Sequence, residues 1–241
     1  MPKITAHGKT DCGLKRTHNE DAFIVRPDLP LFVVADGMGG AAAGEVASQI
    51  FTQTAIEVFD PKKDPLTCIQ EIFKIANHRI YSKAKENPQY KGMGCTAEVL
   101  TFDNTYYFIG HVGDSRTYIF RNRHLHQLTH DHSFVQAQID EGVLTKEAAK
   151  KHPWRNVILR AVGLDKMLTI DLIKGEFKKK DLFLLCSDGL SDMVDDTEIE
   201  YILNTKNLIK EKVEQLISLA NKNGGHDNIT VILCGFEIDE T

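Results

Sequence analysis

Four aspartates share one sequence context, next to apolar segments that predict β-strands. Asp36, Asp114 and Asp188 each lie within one residue of a glycine, and Asp227 precedes the last apolar segment. Any one of them is more simply a turn residue, because aspartate favours turns. If their strands end at one edge of a sheet system, however, the four carboxylates meet there. Their mutual repulsion is then tolerable only when cations lie between them.

The chemistry that suits this set is the binding of hard divalent cations. Carboxylate and carbonyl oxygens favour Mg²⁺ or Mn²⁺ over Zn²⁺, and the glycines after Asp36 open the main chain to an ion. No Cys₄, Cys₂His₂ or HExxH spacing competes. The nearest alternative, His130-Asp131-His132, has a context more typical of the N-cap of the next helix. Two ions that share a carboxylate would lower the pKa of a bridging water and stabilise phosphoryl oxygens.

A phosphate-bearing substrate also requires a protein cation. Arg16 lies on a polar segment ahead of the apolar strand that leads to Asp36. A guanidinium can bind two phosphate oxygens at once, which a lysine cannot. Position alone favours an ordinary exposed loop arginine, so the assignment depends on the rest of the chain.

Composition limits the class of protein. The 241 residues are 42% hydrophobic and 26% charged, without repeats or long linkers, which favours one continuous domain. A net charge of -5 argues against a nucleic-acid-binding surface. The five cysteines form no CxxC pair, as in buried thiols of a reducing compartment. No apolar run approaches the ~20 residues that span a bilayer, and no apolar signal segment begins the chain. We therefore expect a cytoplasmic protein without a membrane segment.

Hydrophobic periodicity predicts the helices and strands that position these residues. The irregular segment 132–165 is more typical of a functional flap than of a plain connection. Because regular βαβ alternation is missing, we expect sheet-on-sheet packing with helices outside rather than a doubly wound parallel sheet. The patterns predict helices at 44–59, 66–86, 145–151, 197–203 and 207–222, and strands at 3–10, 21–26, 31–35, 95–102, 105–112, 115–121, 124–128, 168–173, 182–186 and 228–234.

Eight short motifs in order resemble a known family, the bacterial branch of the metal-dependent serine/threonine protein phosphatases of type 2C. Each motif alone is weak, but the series covers nearly the whole chain. The motifs are Arg16-Thr17-His18-Asn19-Glu20-Asp21, Val34-Ala35-Asp36-Gly37-Met38-Gly39-Gly40, Gly44-Glu45, Gly94-Cys95-Thr96-Ala97, His111-Val112-Gly113-Asp114-Ser115-Arg116, Asp131-His132-Ser133, Ser187-Asp188-Gly189-Leu190 and Asp227-Asn228-Ile229-Thr230.

The resemblance implies an α+β fold, a four-layer α/β/β/α sandwich with two antiparallel sheets flanked by helix pairs. It also implies two to three Mn²⁺ or Mg²⁺ ions in a cleft at one end of the sheets. Asp36 would bridge two ions, and Gly37 would offer its carbonyl oxygen. Asp188 and Asp227 would complete one ion's ligands, and Asp114, with Asp188, would bind a third, weaker ion.

Further roles carry over by resemblance to the remaining matched positions. Arg16 would bind the phosphate group, while Glu20 and Asp21 would hold waters bound to the ions. Residues 134–160 match the variable flap beside the cleft. Met38 stands where many eukaryotic relatives have a histidine as a candidate general acid. Since a thioether cannot donate a proton, the leaving group must be protonated by a metal-bound water or another group.

The function expected from the resemblance is hydrolysis of phosphoserine and phosphothreonine monoesters on proteins by a metal-activated water. The partners would be phosphorylated proteins, with the enzyme opposing a serine/threonine kinase, and we expect a monomer that comprises residues 1–241 as one domain. One alternative is a catalytically silent phosphoprotein-binding module on the same fold, which would be expected to lack one of the metal carboxylates. Another alternative is a two-metal nuclease or a small-molecule phosphatase. The acidic net charge argues against a nucleic-acid substrate.

Overall fold

Two antiparallel sheets form the centre of the protein. The computed structural model describes residues 3–236, without the side chains of residues 41 and 42. The strands are β1 Ile4–Asp11, β2 Asp21–Arg26, β3 Leu31–Met38, β4 Gly94–Cys95, β5 Ala97–Phe102, β6 Tyr106–Val112, β7 Arg116–Arg121, β8 His124–Gln127, β9 Asp171–Glu176, β10 Leu182–Cys186 and β11 Ile229–Phe236. One sheet has the order β1-β11-β10-β7-β8 and the other β2-β3-β5-β6-β9, with β4 paired to β3. All these pairs are antiparallel.

Helices α1 Ala41–Val58 and α2 Pro65–Glu86 cover the outer face of one sheet, and α6 Asp196–Leu203 and α7 Ile209–Lys222 cover that of the other. The shorter helices are α3 Phe134–Asp140, α4 Lys146–Ala149 and α5 Asp188–Ser191, and a 3₁₀ turn lies at Pro88–Tyr90. The long helix α2 buries residues at helical spacing, among them Ile69, Ile72, Phe73 and Ile80. Within residues 3–236, none of the helices combines the length and the apolar character that crossing a bilayer requires.

Strand β3 shows why the fold has four layers. Leu31, Val33 and Ala35 pack into the core beneath α1 and α2, whereas Phe32 and Val34 pack into the core between the two sheets. Alternate residues of a strand point to opposite faces, so a strand that is apolar throughout must be covered on both sides. A third apolar core lies between the five-stranded sheet and α6 and α7. The predicted four-layer α/β/β/α sandwich is confirmed.

Element boundaries differ from the predictions where pairing overrides local sequence. Strand β3 continues past residue 35 because Gly37 and Met38 pair with β4. The strand predicted at 168–173 lies instead at β9, where it pairs with β6. Helix α5 was not predicted, since four residues give no periodic signal. Helix α3 was not among the predicted helices either, but the segment at His130-Asp131-His132 does lead into an N-cap, where Ser133 Oγ accepts from the Gln136 amide at 3.3 Å.

A buried charged pair in the six-stranded sheet also contacts the five-stranded sheet. Glu98 of β5 and His111 of β6 are fully buried and bonded through Oε1 and Nδ1. The second oxygen of Glu98 accepts from Thr117 Oγ1 of the other sheet at 2.6 Å. His111 Nε2 lies 2.8 Å from the His130 carbonyl oxygen. With both ring nitrogens facing acceptors, the imidazolium form is favoured, and Glu98 raises the pKa of His111 to about 9 against the lowering effect of burial.

We expect His111→Ala to lower the free energy of unfolding by about 3–5 kcal/mol, because the Glu98 carboxylate is left buried without its cation. The double variant Glu98→Met/His111→Leu removes both charges and should lower the free energy of unfolding less than His111→Ala does. Urea unfolding at neutral pH measures both. A double variant as unstable as His111→Ala would show that lost packing, rather than the unpaired charge, sets the cost.

Candidate metal centre

The aspartates singled out by the sequence lie at one end of the sandwich. Asp36 is near the C-terminal end of β3, and Asp114 is in the turn between β6 and β7. Asp188 follows the end of β10, and Asp227 precedes the start of β11. Since neighbouring antiparallel strands run in opposite directions, the end of one strand lies beside the start of the next. The topology therefore brings together residues that are far apart in the chain.

Asp21 joins the two sheets at this end. It pairs with Asp36 across β2 and β3. Its Oδ2 accepts hydrogen bonds from Thr230 Oγ1 of β11 at 2.6 Å and from Ser187 Oγ, directly after β10, at 2.8 Å. These two bonds hold the Asp36 side of the site against the side that carries Asp188.

A second chain of hydrogen bonds connects Asp36 with the Asp114 turn. The Asp36 amide donates to Thr96 Oγ1 at 3.2 Å, and the Thr96 amide donates to the Asp36 carbonyl oxygen at 2.9 Å. Thr96 Oγ1 lies 2.6 Å from Ser115 Oγ, next to Asp114. The break between β4 and β5 thus places Thr96 between two of the acidic residues.

The carboxylates raise one another's pKa. Burial raises the pKa of Asp36 well above its usual range, and the charges of Asp21, Asp188, Asp114 and Asp227 raise it further, in that order. The pKa of Asp188 is raised well above its usual range, again first by burial. Burial also raises the pKa of Asp21 to about 6 and that of Asp114 to about 7. These side chains share one negative field, which divalent cations would neutralise.

Three carboxylate oxygens at the site are free to bind such an ion. Among the described residues, the buried atoms Asp21 Oδ1, Asp114 Oδ1 and Asp188 Oδ1 have no hydrogen-bond partner, and an unsatisfied buried oxygen is a natural position for a cation or water. The donors are all oxygens, as Mg²⁺ and Mn²⁺ prefer. No three Asp, Glu, His or Cys side chains within residues 3–236 are already arranged to hold one ion. Binding of an ion would therefore require side-chain movement.

Close approach of the main chain explains two glycines beside Asp36. The Gly37 amide donates to the Glu20 carbonyl oxygen at 3.2 Å, and a Cβ on Gly37 would lie 2.2 Å from the Gly44 oxygen. A Cβ on Gly44 would lie 2.0 Å from Glu20 Oε2. The glycines thus allow α1 to begin against Glu20, whose carboxyl is buried and has its pKa raised by that burial.

Arg16, the predicted phosphate-binding residue, contacts a predicted metal ligand. Its Nη2 donates to Asp227 Oδ2 at 2.7 Å, and the Arg16 side chain is half exposed. The other oxygen of Asp227 accepts from the Asn228 amide at 2.8 Å. Both oxygens of Asp227 are therefore engaged, one of them by a side chain that solvent reaches.

Asn228 holds the loop that carries Arg16, a role that the sequence analysis missed. Its Nδ2 donates to the carbonyl oxygens of Cys12 at 3.0 Å and His18 at 2.9 Å. Its Oδ1 accepts from the Glu20 amide at 2.8 Å. Adjacency to Asp227 was the only sequence signal, because its partners lie more than 200 residues away.

Asp192 is a second missed residue. It lies one helical turn after Asp188, and its amide donates to the Asp188 carbonyl oxygen at 2.8 Å. Its charge raises the pKa of both Asp188 and Asp114. The four-residue spacing from Asp188 was a usable signal, since it places two carboxylates on one helix face.

A polar cavity of about 870 Å³ adjoins the acidic residues. One wall includes Asp114 and Asp188, and the opposite wall comes from the flap, residues 134–160, with Lys150 and Arg155. The predicted flap thus lies beside the acidic end of the sandwich, and it brings positive charge toward the carboxylates.

Sequence comparison matches this architecture to one family. The profile described as protein phosphatase 2C covers residues 13–234. The chain belongs to the protein phosphatase 2C family. Its function is that of a bacterial serine/threonine protein phosphatase, a metal-dependent hydrolase.

Several bacterial serine/threonine phosphatases resemble this chain over nearly its whole length. The serine/threonine phosphatase Stp of Listeria monocytogenes is 38% identical over 237 residues, which are 95% of this chain and 94% of Stp. The crystal structure of the Mycobacterium tuberculosis phosphatase PstP/Ppp superposes with a TM-score of 0.92 at 37% identity, covering 98% of this chain and 99% of that one. The PstP catalytic domain in complex with two manganese ions has a TM-score of 0.89 at 35% identity, with 96% and 97% covered.

Without divalent cations, we expect this phosphatase to lose stability as the pH rises from about 5 to about 8. The pKa values of Asp21 and Asp114 are raised in the folded state, so their contribution is present at low pH and is lost as the pH passes through about 6 and 7. Mg²⁺ or Mn²⁺ should raise the melting temperature more at about pH 8 than at about pH 5, because cations then replace protons.

Thermal unfolding in EDTA and in each ion measures this pH dependence. Asp36→Asn removes one of the carboxyls that take up a proton on folding and should flatten the curve in EDTA. The assignment of a cation site would be contradicted by a melting temperature that rises toward pH 8 in EDTA. It would also be contradicted if neither ion changed the melting temperature.

Proposed function

We propose that Asp36, Gly37, Asp188 and Asp227 hold two Mn²⁺ or Mg²⁺ ions, and that Asp114 with Asp188 holds a third, weaker ion. The convergence of buried carboxylates with unpartnered oxygens is the observation that carries this assignment. When bound there, the ions lower the pKa of a water and neutralise phosphoryl oxygens of the substrate ester.

Arg16 binds the phosphoryl group in this proposal. Its guanidinium can donate two parallel hydrogen bonds to phosphate oxygens, and Asn228 fixes the loop that presents it. Asp227 Oδ2 now accepts from Arg16, so this oxygen is available to a cation only after the guanidinium turns away. The released N–H groups are then free for phosphate, which links metal binding to substrate binding.

Asp21 and Glu20 hold waters bound to the ions in this proposal. Asp21 Oδ2 is fixed by Thr230 and Ser187, which leaves Oδ1 free to hold an ordered water. The Glu20 carboxylate is buried where α1 begins. Such partners set the orientation and basicity of metal ligands and their waters.

The substrates are phosphoserine and phosphothreonine residues of proteins, and the enzyme opposes a serine/threonine kinase. The flap cavity supports a peptide substrate, since it is open to solvent beside Asp114 and Asp188 and is lined by polar side chains. We also propose that residues 1–241 act as one monomeric phosphatase domain.

Asp36→Ala and Asp227→Ala should each lower Mn²⁺-dependent release of phosphate from a phosphothreonine peptide about a thousandfold, because each removes a ligand to ions worth several kcal/mol in the transition state. Asp28→Ala, at an exposed carboxylate that pairs with Arg26, is the matched control and should be as active as wild type. Activity near wild type in both site variants would refute the proposed centre. Asp36→Ala should not melt earlier than wild type in EDTA, since it relieves repulsion.

Arg16→Lys should lower kcat/KM about 10- to 100-fold, because lysine keeps the charge and loses the paired hydrogen bonds. Lys15→Gln removes the adjacent exposed cation and serves as the control for a general charge effect. Steady-state kinetics on the same peptide measures both. Equal losses in the two variants would indicate electrostatic attraction alone and contradict a specific phosphate contact by Arg16.

A further inference from the structure

His132 contacts the Asp114 turn through two reciprocal hydrogen bonds. Its amide donates to the Gly113 carbonyl oxygen at 2.7 Å, and the Gly113 amide donates to His132 Nδ1 at 3.1 Å. Gly113 has φ +114°, and a Cβ there would lie 2.5 Å from Thr96 Cβ. The turn therefore requires its glycine, and His132 fixes the residue directly before Asp114.

These bonds define the protonation of the His132 ring. Nε2 lies 3.2 Å from both Asp171 Oδ2 and Arg160 Nη1. Because Nδ1 accepts from Gly113, the proton of the neutral ring is on Nε2, which donates to Asp171 rather than accepting from Arg160. Asp171 also accepts from Arg160 Nη1 at 3.3 Å. Burial, followed by the charge of His111, lowers the pKa of His132 to about 4, so the ring is neutral at physiological pH.

The same residue forms the base of the flap. The His132 carbonyl oxygen accepts from the Leu159 amide at 2.7 Å. The adjoining residues continue the contact, with a bridge between Ser133 and Ile158. The flap begins two residues later, so the chain enters it directly from His132.

We propose that His132 is a positioning residue that couples the base of the flap to the Asp114 turn, so that a cation at Asp114 and the position of the flap influence each other. This inference rests on the proposed role of Asp114 as ligand of the weaker ion. Coupling of this kind is reciprocal, because a flap position that favours the ion must also be favoured by it. It would give the flap, which lines the substrate cavity, control over one ion.

Two amide variants separate the contacts of His132. In His132→Asn, the side-chain oxygen can take the place of Nδ1 and accept from Gly113. In His132→Gln, the longer side chain reaches the place of Nε2 near Asp171 and leaves the Gly113 amide without its acceptor. Both variants lose the ring that lies 4.6 Å from the His111 ring, so loss of ring packing is matched between them.

The chain contains its own reporter of the flap. Trp154 is the single tryptophan, and it packs edge-to-face on Phe134 with ring centroids 5.1 Å apart. Its fluorescence can be followed during titration with Mg²⁺, which is diamagnetic and does not quench. The part of the response that Asp114→Asn abolishes reports the ion at Asp114.

We expect wild type to show an Asp114-dependent fluorescence response and His132→Asn to keep it, with a midpoint within about twofold. His132→Gln should need about tenfold more Mg²⁺ or lose the response, the size of effect that residues supporting metal ligands have. Identical behaviour of the two amide variants would overturn the proposal, as would a wild-type response that Asp114→Asn leaves unchanged.

Hydrogen exchange of the wild-type protein tests the coupling even if the His132 variants do not fold. Mg²⁺ should slow exchange of the Leu159 amide at the flap base, and Asp114→Asn should remove this effect. A Leu159 amide that exchanges at the same rate with and without Mg²⁺ would overturn the coupling. Retained phosphatase activity in Asp36→Ala would instead refute the proposed centre, so the two failures are distinguishable.

Discussion

Repulsion among buried carboxylates is the constraint on which this structure depends. Asp21, Asp36, Asp114 and Asp188 gather at one end of the sandwich, and each has its pKa raised by burial and by neighbouring charge. A fold selected for stability alone would separate them. Their convergence is consistent with an enzyme in which cations compensate the charge.

The surrounding structure holds these acids by hydrogen bonds to neutral groups. Thr230 and Ser187 fix one oxygen of Asp21, and Thr96 lies between Asp36 and the Asp114 turn. Neutral donors orient a carboxylate without cancelling its charge, as a cation-binding site requires. Arg16 is the exception, because it pairs with Asp227 directly, and its exposure makes that pair easy to exchange.

Sequence reasoning identified residues whose position follows from local context and missed those whose contacts lie far away in the chain. The strand-end aspartates were found because an apolar run followed by Asp and Gly is visible in any window. Asn228 and His132 act through partners elsewhere in the chain, so no local pattern reveals their roles. Likewise, β3 extends to Met38 only because β4 pairs with it, and α5 is too short for periodicity to detect.

The sequence by itself determined which side chains are of a type suited to divalent cations and phosphate, the apolar periods that require four layers, and the family to which the chain belongs. Tertiary structure alone decided that Arg16 contacts Asp227, that Asn228 holds the Arg16 loop, and that His132 lies between the Asp114 turn and the flap. The physical reason is the distance along the chain over which each effect acts. Propensity and hydrophobic period act over a few residues, whereas burial, repulsion and hydrogen-bond partners exist only after distant segments have packed together.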